Sequence, residues 1–409
     1  MSLDTLIGNV SKKLIINEED SFNLIKKITE ICNKDMFTFS SLENEGFKRG
    51  DILNILEIFK ETGCLTQQYQ CLCKDNDELE IYDSLQETCE FCGQVVKNTF
   101  VHDITDIYYL QDDIIKLVKE KENLILQMHL GDGFITLFEE LKGKIHNVIP
   151  FLGAGTSIPL GLDSWGQLLA DMKDSIFSSE DKRMFDKYID KGDYLKALTF
   201  LKNHSLILSE DKAIKERIIK RIEAKYNKNI EDDLHNIKDI INLNSDFYIT
   251  TNYDLALTDF KTGDNYPYTF RQIDDLQDLL NSGKQIILHL HGHIKDKDSM
   301  IVTQENYNEI YDKTAIKTFL SGIMGSKHLL FIGFSFNDDY FKNIFENVFK
   351  DIGGDNYIIL PDLHMEEAQD LIKMGLRPIS IKVGDSKNKE EKARNYVKSI
   401  KVVLNNLIN

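Results

Sequence analysis

The stretch Val148-Ile149-Pro150-Phe151-Leu152-Gly153-Ala154-Gly155-Thr156-Ser157 predicts the fold of most of this chain. A short apolar run that ends at two glycines is typical of a buried parallel strand followed by a tight turn. Comparable apolar runs, separated by helical patterns, occur at 247–250, 286–290, 329–332, 357–360 and 379–383. We therefore expect an α/β fold, a Rossmann-like parallel sheet with helices on both faces.

Polar clusters follow the first four of these runs. The clusters are Gly153-Ala154-Gly155-Thr156-Ser157, Thr251-Asn252-Tyr253-Asp254, His291-Gly292-His293 and Gly333-Phe334-Ser335-Phe336-Asn337. In open parallel sheets, ligands bind in the crevice at the carboxyl ends of the strands. We therefore expect the four clusters to converge on one site.

Each cluster also has an ordinary structural explanation. Two glycines suit a strand-to-helix turn, although they also let backbone approach a pyrophosphate, and the third glycine of the dinucleotide fingerprint is missing. Asn252 and Asp254 suit a turn or a helix cap. Histidines 289, 291 and 293 alternate as strand residues do, but no nearby carboxylate or cysteine completes a metal shell, so we do not expect a metal there.

The six cysteines all lie between Cys32 and Cys92. Cys71 and Cys73, with Cys89 and Cys92, form two pairs whose separation suits a structural zinc site closed by four thiolates, and Gly93 permits the tight turn of a zinc knuckle. Unligated reduced thiols are the alternative, because the first pair is spaced by one residue. Cys32 and Cys64 are expected to be buried small hydrophobes.

The sequence divides into three parts. Residues 1–103 are predicted to form the cysteine module, with amphipathic helices at 21–32 and 51–63 that suit either a winged-helix-like domain or another small helical domain. A charge-rich pattern at 104–128 predicts a helix within a connector, 104–140. Residues 141–409 form the predicted α/β domain, with a helical insertion at about 167–242.

Composition excludes some classes of protein. The 409 residues carry a formal charge of −18, which repels phosphate backbones, so non-specific nucleic-acid binding by the whole surface is not expected. The sequence contains neither a long apolar span nor a cationic leader followed by an apolar block, so the expected location is cytoplasmic, without membrane association.

The four clusters together resemble the sirtuin family, and more closely the sirtuin-like NAD-cleaving effector domains of bacterial anti-phage defence systems. Gly153 to Ser157 resemble the family's opening NAD loop, and Thr250-Thr251-Asn252-Tyr253-Asp254 its Thr-x-Asn-x-Asp segment. Leu290-His291-Gly292 resembles the catalytic-histidine segment, and Gly333-Phe334-Ser335 the adenosine-side loop. The resemblance covers about 148–383.

The resemblance implies a role for each of three residues. Asn252 would hold the nicotinamide ribose and the attacking water, Asp254 would contact the carboxamide, and His291 would act as a general base. The residues that would bind the rest of NAD are Gly153, Ala154, Gly155, Thr156, Ser157, Thr251, Gly333 and Ser335. Nicotinamide leaves an oxocarbenium-like centre as a neutral group, so positioning and a base near neutral pH matter more than a strong acid.

Departures from the protein deacylases make an acyl-lysine cleft doubtful. Those enzymes carry a zinc module after the catalytic histidine, whereas this chain has no cysteine beyond Cys92, and Gly161-Leu162-Asp163-Ser164-Trp165 replaces their Asp-Phe-Arg. The first hypothesis is a gated NAD hydrolase that acts in anti-phage defence, with homo-oligomers and an activating protein partner, such as an ATPase, implied by the resemblance. A non-catalytic regulator that binds NAD or ADP-ribose, and an NAD-dependent protein deacylase, are the alternatives.

Overall fold

The computed structural model describes residues 2–32, 36–263, 265–272, 284–311, 321–322, 327–335 and 355–408. The chain divides into two compact units, Met1–Ile125 and Leu126–Asn409. None of the described helices is both long enough and apolar enough to cross a bilayer.

The first unit contains helices and an antiparallel sheet. Its helices, before the one that crosses the unit boundary, are α1 (Leu3–Leu14), α2 (Glu18–Ile31), α3 (Phe39–Asn44) and α4 (Arg49–Glu61). Its strands are β1 (Phe37–Thr38), β2 (Leu65–Cys73), β3 (Glu78–Tyr82) and β4 (His102–Leu110), and they lie in the order β1-β4-β2-β3. The two predicted amphipathic helices are present as α2 and α4, and one buried apolar cluster packs the four helices against the sheet.

The predicted helix at 104–128 is wrong in its first part. Residues up to Leu110 form β4, which pairs along its whole length with β2, and helix α5 (Asp112–His129) begins only after it. Tyr108 and Ile107 are buried in this strand. β-branched and aromatic residues fit a pleated strand as well as an amphipathic helix, and the cross-strand partner decides between the two.

The second unit is built on seven parallel strands, so the predicted α/β class with a Rossmann-like parallel sheet is confirmed. The strands are β5 (Val148–Leu152), β6 (Phe247–Thr250), β7 (Pro267–Thr269), β8 (Ile286–His289), β9 (His328–Ile332), β10 (Asn356–Pro361) and β11 (Leu376–Ile381). All six predicted strands are present, and the short edge strand β7 was not predicted. Alternate residues of each strand enter two apolar clusters, as Val148 and Ile149 do in β5, which is the pattern of a sheet buried on both faces.

The order of the sheet is β11-β10-β9-β5-β6-β8-β7. Strand β5 lies between β6, which follows it in the chain, and β9, which comes much later. The chain therefore reverses its direction of sheet growth at β5, and ligands of open parallel sheets bind at such a switch point. Three of the four polar clusters follow β5, β6 and β9 directly.

The helices of the second unit, as far as its residues are described, follow the strands. They are α6 (Ile135–Lys142), α7 (Trp165–Ala170), α8 (Ser179–Asp190), α9 (Tyr194–His204), α10 (Asp211–Lys225), α11 (Ile237–Ile241), α12 (Ala256–Phe260), α13 (Gln304–Tyr311), α14 (Met365–Lys373) and α15 (Lys389–Ile408). Helices α7 to α10 pack around an apolar cluster of their own, which also includes Tyr253, Met300 and Val302. These helices lie where the sequence predicted a helical insertion.

Candidate functional site

The loop that follows β5 is packed against the loop that follows β9, backbone to backbone. The amide of Gly153 donates to the carbonyl of Ile332 at 2.9 Å, and that of Gly155 donates to the carbonyl of Gly333 at 2.9 Å. A Cβ atom on Gly153 or Gly155 would lie 2.7 or 2.8 Å from the Gly333 oxygen. Gly333 itself has φ +79°. The close packing of the two loops therefore requires glycine at these three positions, whether or not a ligand is bound.

Asn252 joins this loop from the end of β6. Its Nδ2 donates to the carbonyl of Gly153 at 3.0 Å, to Thr156 Oγ1 at 3.3 Å and to Ser157 Oγ at 2.9 Å. Among the described residues, no donor is hydrogen-bonded to its Oδ1. The carboxamide is thus fixed through its nitrogen and keeps an oxygen acceptor for a ligand.

Asp254 is buried and already paired. Ser157 Oγ donates to its Oδ2 at 2.7 Å, and the amide of Ala256 donates to its Oδ1 at 3.0 Å. Burial raises the pKa of this carboxyl, and the two hydrogen bonds oppose the shift only in part. In this arrangement Asp254 positions Ser157 and accepts a hydrogen bond from the amide of Ala256, the first residue of helix α12.

His291 lies against the residue that precedes Asn252. It is completely buried, and its imidazole hydrogen-bonds to the backbone of Thr251. Burial lowers the pKa of His291 to about 3, because the imidazolium would lose its hydration, and the bond to Thr251 offsets this only in part. The neighbouring His289 donates from Nδ1 to the carbonyl of Asn252 at 3.0 Å. Two histidines are therefore hydrogen-bonded to the backbone of the turn that contains Thr251 and Asn252.

Gly292 fixes the segment that follows His291. It has φ +74°, and a Cβ atom there would lie 2.3 Å from the backbone oxygen of Ser299. The amide of Ile301 donates to the carbonyl of His291 at 3.0 Å. Residues 292–299 therefore form a tightly folded loop after His291, and only glycine fits at its start.

Two cavities lie above these strand ends. The smaller is lined in part by Asn252, Asp254, Ser157, Thr251 and Trp165. The larger, of about 820 Å³, is lined on the sheet side by Ala154, Gly155, Thr251, Gly333 and Ser335. This volume lies within the range of about 300–1,000 Å³ that ligand pockets occupy.

The structure brings most of the expected site residues to these cavities, with two qualifications. Thr156 and Gly153 are hydrogen-bonded to each other within the loop that follows β5, residues 153–157, which we call the glycine loop. There Thr156 Oγ1 donates to the Gly153 carbonyl at 2.8 Å. His291 is adjacent to Thr251, but the described linings of the two cavities do not include it. Phe336 and Asn337, at the end of the fourth cluster, lie outside the described residues.

A second group of candidate ligands lies in the first unit. The side chains of Cys73, Cys89, Cys92 and His102 place their ligand atoms within 4.8 Å of one another. Cys73 and His102 are direct partners across strands β2 and β4. Cys89 and Cys92 lie in the turn that ends at Gly93, which has φ +69° and whose amide donates to the carbonyl of Cys89. Three thiolates and an imidazole are a common donor set for structural zinc.

His102, which sequence reasoning missed, takes the place predicted for Cys71. Cys71 lies two residues before Cys73 on the same strand and packs with Tyr82 and Val96 in a small apolar cluster. Burial raises the pKa of its thiol to about 11, which favours the protonated form. The sequence signal for His102 was its place ten residues after Cys92.

Hydrogen bonds prepare these side chains for a metal. His102 Nδ1 donates to the carbonyl of Val96 at 3.0 Å, and its Nε2 lies 3.1 Å from Cys92 Sγ. This fixes the tautomer that leaves Nε2 free to ligate. Burial alone would raise the pKa of Cys89, but backbone N–H groups of Cys92 and Phe91 donate to its sulfur and lower it to about 6.

Comparison with known proteins agrees with the geometry of the second unit. Residues 246–379 match the family described as SIR2-like domain. The chain is 27% identical over 207 residues to a protein named NAD(+) hydrolase ThsA from Enterococcus faecium, and 25% identical over 234 residues to one of the same name from Bacillus cereus (strain MSX-D12). These matches cover 49% and 56% of this chain, but only 40% and 44% of the relatives.

Among solved structures, that of cytosolic 5′-nucleotidase IIIB bound to cytidine aligns over 65% of this chain and 90% of the nucleotidase chain. The sequence identity is 11% and the TM-score is 0.29. A likeness this low supports no conclusion.

Proposed function

We propose that this chain, which carries a SIR2-like domain and is related to proteins named NAD(+) hydrolase, cleaves the nicotinamide–ribose bond of NAD. The observation that carries the proposal is the fixed carboxamide of Asn252, held by the glycine loop at the switch point of the sheet with a free Oδ1. Its neighbour Thr251 lines the large cavity and bonds His291. A dinucleotide laid along the two cavities would place its ribose beside Asn252, which lines the smaller cavity, and beside Thr251, to whose backbone His291 is hydrogen-bonded.

The proposed reaction converts NAD⁺ and water to nicotinamide, ADP-ribose and a proton. The bond between C1′ and the pyridinium nitrogen breaks, and nicotinamide leaves with the electron pair as a neutral molecule. Asn252 Oδ1 orients the attacking water or a ribose hydroxyl, and His291 accepts the proton of the water. The two negative phosphates of bound NAD favour the imidazolium, and so raise the pKa of His291 in the complex.

Asp254 is proposed to act on the carboxamide of nicotinamide at the same cavity. Both of its oxygens have partners in the chain, so a ligand amide has to share one of them. A carboxylate oxygen accepts more than one hydrogen bond, which permits this.

The test is the release of nicotinamide from NAD, separated by chromatography, for the full chain and four variants. Asn252→Ala and His291→Ala are expected to reduce kcat/KM by about a hundredfold or more, as removal of a preorganised catalytic group does. Asn308→Ala and His204→Ala change the same residue types at exposed positions of α13 and α9, and should retain activity. Nicotinamide release that is equal in all five proteins would refute the assignment.

The same preparation distinguishes the other functions. The complete burial of His291 favours a regulator that binds NAD without turnover, and calorimetry that detects binding where chromatography detects no product would support it. Product formation that requires an acetyl-lysine peptide would support a deacylase.

We also propose that Cys73, Cys89, Cys92 and His102 bind a structural zinc ion. Four protein ligands leave no position for water, so the ion would stabilise the first unit without taking part in catalysis. Metal analysis of the purified chain is expected to give one zinc per chain, with loss of the metal in Cys73→Ser and His102→Asn. Cys71→Ser is the matched control and should keep the zinc, whereas its loss in Cys71→Ser alone would favour the four-cysteine arrangement.

The wider role is proposed from the resemblance of the four polar clusters to the sirtuin-like effector domains of bacterial anti-phage defence systems. An NAD hydrolase that is always active would deplete the cell, so we propose a gated effector of anti-phage defence that forms homo-oligomers and responds to an activating protein partner. The matched relatives extend well beyond the shared part, which leaves room for regulation by other regions. Light scattering of the chain with and without NAD would establish its assembly.

A further inference from the structure

Trp165 stands at the junction of the two cavities. It is the single tryptophan of the chain and the first residue of α7, directly after Ser164, whose side chain caps that helix. Trp165 lines the smaller cavity together with Asn252 and Asp254, and it also lines the larger cavity. An aromatic ring therefore shares a wall with the residues assigned to the nicotinamide end of the substrate.

Two tyrosines hold this indole in place. Tyr253 meets it edge-on, with ring centroids 5.5 Å apart and planes at 72°. Tyr194 of α9 lies nearly parallel to it, at 17° and 6.4 Å. The indole is thus oriented before a ligand arrives.

The charged residues in the wall of the smaller cavity are Asp163, Arg221 and Asp254. Arg221 pairs with Asp163 at 2.8 Å, and Lys225 bonds the same Asp163, so this acidic side chain is neutralised by basic partners. Asp254 is the remaining carboxyl of the wall, and it is hydrogen-bonded to Ser157 and to the amide of Ala256. A cation that enters the cavity therefore meets Asp254 and the face of the indole, and both favour it.

We infer that Trp165 forms the surface on which the positively charged pyridinium ring of NAD⁺ binds, through a cation–π contact. The inference rests on the proposed function and adds a recognition residue from the helical insertion. NAD⁺ carries a charged aromatic ring, whereas NADH carries a neutral dihydropyridine, so the contact selects the oxidised form. After cleavage the nicotinamide is neutral, and the loss of this attraction favours its release.

The test uses the single indole as a reporter in the full chain with His291→Ala, which removes turnover. NAD⁺ should quench the fluorescence of Trp165, whereas ADP-ribose, which lacks the pyridinium ring, should bind without comparable quenching. Binding is measured in parallel by calorimetry. NAD⁺ that binds without quenching would overturn the inference but not the proposed function, and a complete absence of NAD⁺ binding would overturn both.

Two substitutions separate an electronic role from a structural one. In the same background, Trp165→Leu should weaken NAD⁺ binding about tenfold, and Trp165→Phe about threefold, since a smaller aromatic face retains part of the interaction. NADH binding should change little in either variant, because its ring carries no charge. Equal losses for NAD⁺ and NADH would mean that Trp165 only supports the fold, and would refute the inference.

Discussion

The burial of His291 leads to a prediction about the pH dependence of NAD hydrolysis. The pKa of an unperturbed histidine is about 6.5, so an ordinary histidine base causes activity to fall as the pH is lowered through that value. His291 has a pKa of about 3, because the buried site destabilises its charged form. The perturbation is a change of pH from about 7 to about 5.5. Over this range an ordinary histidine base becomes protonated, whereas the buried His291 stays neutral.

The expected magnitude follows from the neutral fraction of the imidazole. At about pH 5.5, only about a tenth of an ordinary histidine is neutral, whereas a group with a pKa of about 3 is almost entirely neutral. Because kcat/KM reports the ionisation of the free enzyme, it should decrease by less than about twofold over this interval, instead of about tenfold. The value of kcat reports the ionisation of the complex with NAD, in which the phosphates of the ligand are proposed to raise the pKa of His291.

The assay is nicotinamide release at low NAD concentration across this pH range, with circular dichroism to confirm that the chain stays folded. His293→Asn is the matched control, because His293 is also buried, has a lowered pKa for the same reason and lies two residues away. An acidic limb in kcat/KM near pH 6.5 that persists in His293→Asn would refute the reasoning. Such a limb would mean that His291 is solvated in the active conformation.

The pH range of this assay has to end well above the pKa of folded His291, because protonation of this side chain is coupled to unfolding. The pKa of His291 is lower in the folded than in the unfolded chain, so the unfolded chain binds more protons between about 6.5 and about 3. The stability that neutral His291 contributes is present above the unfolded pKa, and it is lost progressively as the pH falls toward the folded one. The free energy of unfolding decreases by about 1.4 kcal/mol for each pH unit in this window.

Three further predictions concern the supports of the site. Gly292→Ala should lower the free energy of unfolding by about 2 kcal/mol or more, measured by denaturant titration, because it forces a side chain against the Ser299 backbone at positive φ; an unchanged midpoint would contradict the close packing. Ser157→Ala should reduce kcat about tenfold with little change in stability, since the hydroxyl links two proposed catalytic side chains, and unaltered kinetics would argue against that link. Asp163→Asn should lower the melting temperature by several degrees, since the largely buried side chain at this position would then pair more weakly with Arg221 and Lys225. An equal or higher melting temperature would count against the pair.

The parallel sheet was predictable because buried strands carry their own signal. Runs such as Phe247–Thr250 are apolar on both faces and end in polar turns, and neither feature depends on distant parts of the chain. Strand β4 was missed for the opposite reason. Its sequence carries no period that excludes a helix, and its pairing with β2 joins residues that are 29 to 45 positions apart.

The expected ligand set failed at one member for a geometric reason. Spacing identified Cys73, Cys89 and Cys92, but it also predicted Cys71 as a ligand and missed His102. Register decides, because His102 is the cross-strand partner of Cys73, whereas Cys71 pairs with Ile104. Cross-strand register is not encoded in cysteine spacing.

The lowered pKa of His291 was likewise not predictable from the sequence. The sequence placed His291 at a strand end, and the structure agrees, but the sequence did not show that the side chain is completely buried, which lowers its pKa to about 3. Desolvation of this kind arises from tertiary packing and leaves no mark on the local sequence. The roles assigned to Asn252, Asp254 and His291 stay predictions until activity is measured.

The glycine loop explains why one site draws on strands so distant in sequence. From one side, Asn252 donates to the carbonyl of Gly153, and from the other, Gly155 donates to the carbonyl of Gly333. The proposed ribose end and the proposed adenosine end of the cleft are therefore attached to the same few backbone atoms of the loop after β5. A side chain at Gly155 would press on Gly333 and, through the shared loop, displace Asn252, so binding and catalysis should fail together rather than separately.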